Sequence, residues 1–362
     1  MLLRRCLFRT ALLQLAVGGA HAKRARVQRT ASGSVGAPQA LMDLPGDMLK
    51  QTPASDVVAA MTAYLDSAEE QSVGFWMLTT IAEKTATGAK DIRRVKGANA
   101  VVAGMNAHER DTPLVTKGAR ALAMLAREHR NAIVKAGGIK TLIGIMQMPE
   151  HVDSSDYQSE ASRALGNLAN GDAGTTTSIV SAGGLDRILE ALHALPDDSA
   201  VQEQGIAAMG NLVLGSTATK QTVVAAGGVE MVLAAMEAHN SSSAVAAGGC
   251  ALLQNLAAAL PDAVGGAGAV RVIMYTTKKH PMAPAVLTPA LSCMWNLVHA
   301  SEDLGEEVVY QGGVELAERV LDEFENPSEA NTKAHRAAEG LLGVITQRRE
   351  HGQLGGRVSA EL

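Results

Sequence analysis

Between residues 200 and 213 the chain reads Ala-Val-Gln-Glu-Gln-Gly-Ile-Ala-Ala-Met-Gly-Asn-Leu-Val, and Val201, Ile206, Met209 and Leu212/Val213 fall near one stripe of a helix. Asp197, Asp198 or Ser199 can cap its start, because a short oxygen-bearing side chain there accepts from an unpaired N–H of the first turn. Comparable alanine-rich amphipathic runs recur along the chain, and no sustained apolar/polar alternation of the kind that builds strands is present. The pattern predicts an all-α protein.

The runs repeat in register. Gly166-Asn167-Leu168, Gly210-Asn211-Leu212, Gln254-Asn255-Leu256 and Trp295-Asn296-Leu297 place an asparagine before a leucine at intervals of 44, 44 and 41 residues. Between them lies a second signal: Ala136-Gly137-Gly138-Ile139, Ala182-Gly183-Gly184-Leu185, Ala226-Gly227-Gly228-Val229 and Gln311-Gly312-Gly313-Val314. Glycine adopts positive φ without steric cost, so the pair suits a sharp turn between two short helices. A phosphate-binding reading lacks both the lysine-containing P-loop pattern and a preceding strand. From Leu192, Met236 and Thr277 the leucine of the next long helix follows 20 residues later. The same offset links Met61 to Ile81 and Met105 to Leu125 and adds two N-terminal units. Met146 to Leu168 and Leu321 to Val344 run to 22 and 23 residues, with the excess in the polar connections 149–155 and 325–328. Such a period defines a stacked helical array, which tolerates insertions in its connections.

These motifs resemble the armadillo repeat. The resemblance implies a right-handed armadillo-type α-solenoid, an α-α superhelix, of about seven units over residues 51–348, with 349–362 as a flexible tail. It also implies a concave groove lined by the long third helices, where the recurrent asparagine bonds the backbone of an extended peptide. An amide suits that task because it both donates and accepts. Asn167, Asn211, Asn255 and Asn296 match the position, and Arg163 and Gln204 share their helical face; together these six are the expected partner-binding residues. A second reading stays open, in which each asparagine satisfies local backbone groups between units. The chain departs from the nuclear-import receptors of the family, which carry a tryptophan four residues before the asparagine: no unit here is expected to have one. Trp295 adjoins Asn296, points about 100° away, and is expected to pack. Pro289 is expected to kink the sixth long helix or delay its start. In the last unit Gly343 replaces the asparagine and Lys333, Arg336 and Glu339 give the polar helix of a terminal cap.

Charge separates two parts of the chain. Residues 1–42 hold seven basic residues and no acid; with a total of −5, residues 43–362 carry −12. An acidic body repels phosphate backbones and aromatics are only 2% of the chain, so nucleic acid is not an expected ligand. A basic partner suits that charge, as does plain solubility. No apolar stretch is long enough to span a bilayer.

The N-terminus reads as a leader. A basic start, the apolar run Ala11 to Val17 and Ala20-His21-Ala22 fit cleavage after Ala22, with 23–50 a disordered basic linker. Secretory targeting is the first expectation; an organellar transit peptide, or a cytoplasmic chain if unprocessed, are the alternatives. The final four residues share only Glu361-Leu362 with an endoplasmic-reticulum retention signal. Cys250 and Cys293, on long helices of adjacent units, read as core thiols. His108 and His239 recur at the ends of second helices and read as solvated polar termini. No metal-ligand or nucleophile motif occurs, so neither cofactor nor catalysis is expected. The expected function is a non-enzymatic scaffold or adaptor that binds a partner protein or extended peptide. A transport or chaperone-like receptor for basic segments and a structural assembly module are the alternatives.

Overall fold

A computed structural model describes residues 52–84, 87–325 and 328–354. The expected leader (1–22) and linker (23–50) lie outside the described residues, as does 355–362. Among the described residues the chain forms 19 helices and no strand.

Seven units follow one another. The first contributes α1 (Ala54–Ala63) and α2 (Ala68–Lys84). The second has α3 (Gly88–Arg94), α4 (Gly97–Ala107) and the start of α5 (Thr112–Lys135). The end of α5 doubles as the first helix of the third unit, which continues with α6 (Gly138–Met146) and α7 (Ser155–Ala169). Then come α8 (Ala173–Ser181), α9 (Gly184–Ala194) and α10 (Ser199–Val213), followed by α11 (Thr217–Ala225), α12 (Gly228–Ala238) and α13 (Ser243–Ala257). The sixth unit is α14 (Pro261–Gly266), α15 (Ala269–Lys279) and α16 (Pro284–Ala300), and the seventh α17 (Glu302–Tyr310), α18 (Gly313–Glu323) and α19 (Thr332–Glu350).

Local chemistry sets these boundaries. Asp198 caps α10 with Oδ1 accepting from the N–H of Ala200 and of Val201, both at 3.0 Å. Ser154, Asp172, Ser216, Ser242 and Ser301 cap other helices in the same way. At the turn into each second helix, Gly137, Gly183, Gly227, Gly268 and Gly312 hold φ between 75° and 96°. The glycine after Gly183 serves close packing: a Cβ on Gly184 would lie 2.6 Å from Ile179 Cγ2 and 3.0 Å from the Ile179 carbonyl oxygen. The second unit departs from the rule, since Lys96 takes the left-handed position with φ 57°. A side chain there costs about 1–2 kcal/mol.

The core is continuous along the stack. Leu168, Leu212, Leu256 and Leu297 are fully buried, as are Met105 and Thr277, whose hydroxyl donates to the Met274 carbonyl at 3.0 Å. Buried glutamines tie second helices to third helices: Gln202 Nε2 donates to the Leu192 and Leu195 carbonyls at 2.8 and 3.0 Å, and Gln71 and Gln158 repeat the contact.

Four histidines clamp successive units, which revises the expectation of solvated ends. His108, His151, His239 and His280 reach carbonyls of the preceding unit, at Leu65, Glu109, Pro196 and Asn240, over 2.6–2.9 Å. An imidazole projecting from the end of a second helix is long enough to reach the equivalent connection one unit back. Pro289 also differs from expectation, because α16 starts at Pro284 without delay and runs through it. The N–H that proline lacks would have bonded the carbonyl of Ala285, an exposed residue. Residues 349–354, expected in a flexible tail, are partly engaged: α19 reaches Glu350, and Leu354 is buried against Gly305.

Candidate functional site

The third helices α2, α5, α7, α10, α13, α16 and α19 pack side by side in order, so equivalent positions form rows. The asparagine row reads Thr80, Met124, Asn167, Asn211, Asn255, Asn296 and Gly343. Four residues earlier, one turn along the same face, stand Trp76, Arg120, Arg163, Ala207, Ala251, Ser292 and Glu339.

The asparagines are half-buried, and three of them are tied to the stack. Asn167 Nδ2 donates to the Ala123 carbonyl at 2.9 Å, Asn211 Nδ2 to Gly166 at 3.1 Å and Asn296 Nδ2 to Gln254 at 3.1 Å. Each acceptor immediately precedes the row position of the unit before. Close approach makes the reach possible: a Cβ on Gly166 would come within 2.7 Å of Ala208 Cα, so only glycine lets α7 and α10 pack this tightly. Asn255 differs, with no hydrogen-bond partner for its amide among the described residues. The Oδ1 atoms of Asn167, Asn211 and Asn296 likewise accept no bond from the described residues.

Up to the sixth unit, charge along this face is confined to its N-terminal half; Glu339 brings it back on the last helix. Glu160 Oε1 accepts from Arg120 Nε at 2.6 Å and Glu160 Oε2 from Arg163 Nε at 2.8 Å, so Arg163 is committed to a bridge between the second and third units. Gln204 donates to neighbouring Glu203 at 3.1 Å. From there to the sixth unit the face carries Ala207, Gly248, Ala251 and Ser292, which leaves it shallow and uncharged. The acids concentrate elsewhere, on α17 and α18 of the last unit.

Both tryptophans are partly exposed. Trp295 stacks on His299, with ring centroids 5.2 Å apart, and lies over Gly340 of α19, which agrees with a packing role. Trp76 is 40% exposed and stands four residues before Thr80, in the register where the sequence reading placed no tryptophan. The Met61-to-Ile81 offset was sufficient to find it, had the row been extended to a unit whose asparagine is replaced by threonine.

Cys250, Cys293 and His129 are buried titratable groups outside this row. Cys250 and Cys293 are free and buried, which pushes the Cys250 thiol up to about 12; burial raises Cys293 further, and neighbouring Cys250 adds to it. His129 is 2% exposed with neither ring nitrogen bonded. Burial holds its pKa below the usual value, Arg93 adds to the effect and Glu128 opposes it.

No family model matches the chain, and no curated protein matches it. Solved structures do. One engineered protein, 25% identical, covers 82% of this chain and 72% of its own with a TM-score of 0.65. Another, also 25% identical, covers 69% of this chain and 97% of its own at 0.59. A designed armadillo repeat protein in complex with the peptide (KR)4 is 17% identical over 69% of this chain and 98% of its own, at 0.56. The chain therefore has an armadillo-like repeat fold.

Proposed function

We propose that this protein is a non-enzymatic scaffold whose third-helix face binds an extended segment of a partner protein. One observation carries the reading: a row of half-buried asparagines whose Oδ1 atoms have no donor among the described residues, with one rung, Asn255, whose whole amide is uncommitted among them. A backbone N–H of an extended ligand matches an open Oδ1, and a full peptide unit matches Asn255. Asn167, Asn211 and Asn296 thus combine the two roles that the sequence left open: Nδ2 holds the preceding unit and Oδ1 is offered to the ligand. Gly248 and Ala251, on the same helix as Asn255, leave room there for a ligand side chain. Arg163 and Gln204 flank the segment, and Trp76 offers an apolar platform at its N-terminal end.

The charge layout favours a neutral or mixed segment over a strongly basic one, because Glu160 is already neutralised by two arginines and the uncharged stretch follows it. The peptide (KR)4 belongs to the designed protein it was solved with. A random peptide library selected on the full-length protein tests the reading. Selected peptides are expected to lose about tenfold in affinity on Asn255→Ala, the worth of one or two hydrogen bonds, with no change in melting temperature. Unchanged affinity in the folded variant sinks the groove reading.

A further inference from the structure

The turn at Lys96 is strained in a way its counterparts are not. Every other turn of its kind among the described units uses glycine at the positive-φ position, whereas the second unit holds a lysine at φ 57°. A side chain kept in a costly backbone conformation points to a use for that side chain. Its surroundings suggest the use. Lys90, Arg93 and Arg94 of α3 are exposed beside it, and Lys135 and Lys140 are exposed at the matching turn of the next unit. Arg93 also acts electrostatically on His129, which places α3 against the end of α5. Within this group the only ion pair among the described residues is Arg94 with Asp91, at 3.5 Å. Residues 88–140 hold eleven basic and four acidic residues, a charge of +7 in a body that is acidic as a whole.

The opposite pole is on the last unit. Residues 301–325 carry nine acids against the single base Arg319, and Glu302, Asp303, Glu315 and Glu318 are exposed on α17 and α18. Four units lie between the two faces; five steps at helix spacings of 8–10 Å make about 40–50 Å, so they cannot meet within one chain.

We infer that the Lys96 face is a docking surface for the acidic last unit of a second copy of this chain, giving head-to-tail association. The two surfaces differ, so the contact is heterologous and leaves one free face at each end; growth beyond a dimer is expected. Attraction between exposed charges makes it salt-sensitive. This surface is separate from the third-helix groove.

Sedimentation of the full-length protein decides the matter. At about 50 mM salt the average mass is expected to rise with concentration, and at about 500 mM it should fall to that of a monomer. The reversal Lys90→Glu, Arg93→Glu, Lys96→Glu should weaken association tenfold or more, as should Glu302→Lys, Asp303→Lys, Glu318→Lys. Mixing the two reversed chains should restore association, since their altered faces match, and circular dichroism should show both folded. Lys96→Gly alone is expected to melt higher, from relief of strain, and to associate more weakly. A monomer at low salt overturns the proposal, as does association that ignores the Lys90/Arg93/Lys96 reversal, which would assign it to other basic residues.

Discussion

Replacing Asn211 and Asn255 one at a time separates the two roles of the row. Asn211→Ala deletes the 3.1 Å bond from Nδ2 to the Gly166 carbonyl between the third and fourth units. A bond of this kind contributes about 0.5–1.5 kcal/mol. The Gly166 carbonyl also accepts from Asn170 N–H at 3.1 Å, so it is not orphaned by the change, and the loss falls at about 0.5–1 kcal/mol. Asn255 makes no such bond, and its removal is expected to shift stability by less than about 0.5 kcal/mol. In a stack where each unit contacts only its neighbours, the Asn211 loss is a loss of coupling at one interface. Urea unfolding followed by circular dichroism measures it as a lower midpoint at unchanged slope. Equal destabilisation by the two variants would refute the division of roles, as would a stable Asn211→Ala chain beside a destabilised Asn255→Ala chain.

Three further outcomes follow from packing and burial. Gly228→Ala brings a Cβ to 2.6 Å from Val223 Cγ1 and 2.8 Å from its carbonyl oxygen, so a thermal melt should show a loss of about 1–3 kcal/mol; a neutral result would contradict the packing. His129 has a lowered native pKa, so as pH falls below 6.5 the unfolded chain takes up the proton first and stability is lost down to the native pKa. His129→Leu should flatten that part of the stability profile and, by removing a buried unpaired N–H, stabilise the protein near neutrality by about 1–3 kcal/mol; an unchanged slope counts against it. Cys250 and Cys293 should resist a thiol reagent at neutral pH in the native protein and react on unfolding, as peptide mapping would show; native labelling at either contradicts their burial.

The fold was legible because its determinants are local and repeated. An amphipathic helix, a capping aspartate or serine and a diglycine turn are each visible within about a dozen residues, and the period joins them. Degenerate copies were harder. The turns at Lys96-Gly97 and Gly268-Ala269 keep the geometry with only one glycine, and the fusion of two helices into α5 erases a boundary that composition alone does not mark. The histidine clamps were half legible: the positions of His108 and His239 recur, but their acceptors are backbone carbonyls 43 residues away, which leave no trace in side-chain identity. The same holds for the asparagines. Sequence placed them in a row, while the choice of which amides are spent on the stack depends on inter-helix distance, set by small residues such as Gly166 and Ala208.

The most direct test of the groove uses a selected peptide carrying a photoactivatable residue at each position in turn, cross-linked to the full-length protein and mapped by mass spectrometry. A peptide lying extended along the third helices should mark Ala207, Gly248, Ala251 and Ser292 in sequence as the reactive position moves along it. Cross-links that gather on first and second helices, or that show no ordered progression from unit to unit, would contradict the account.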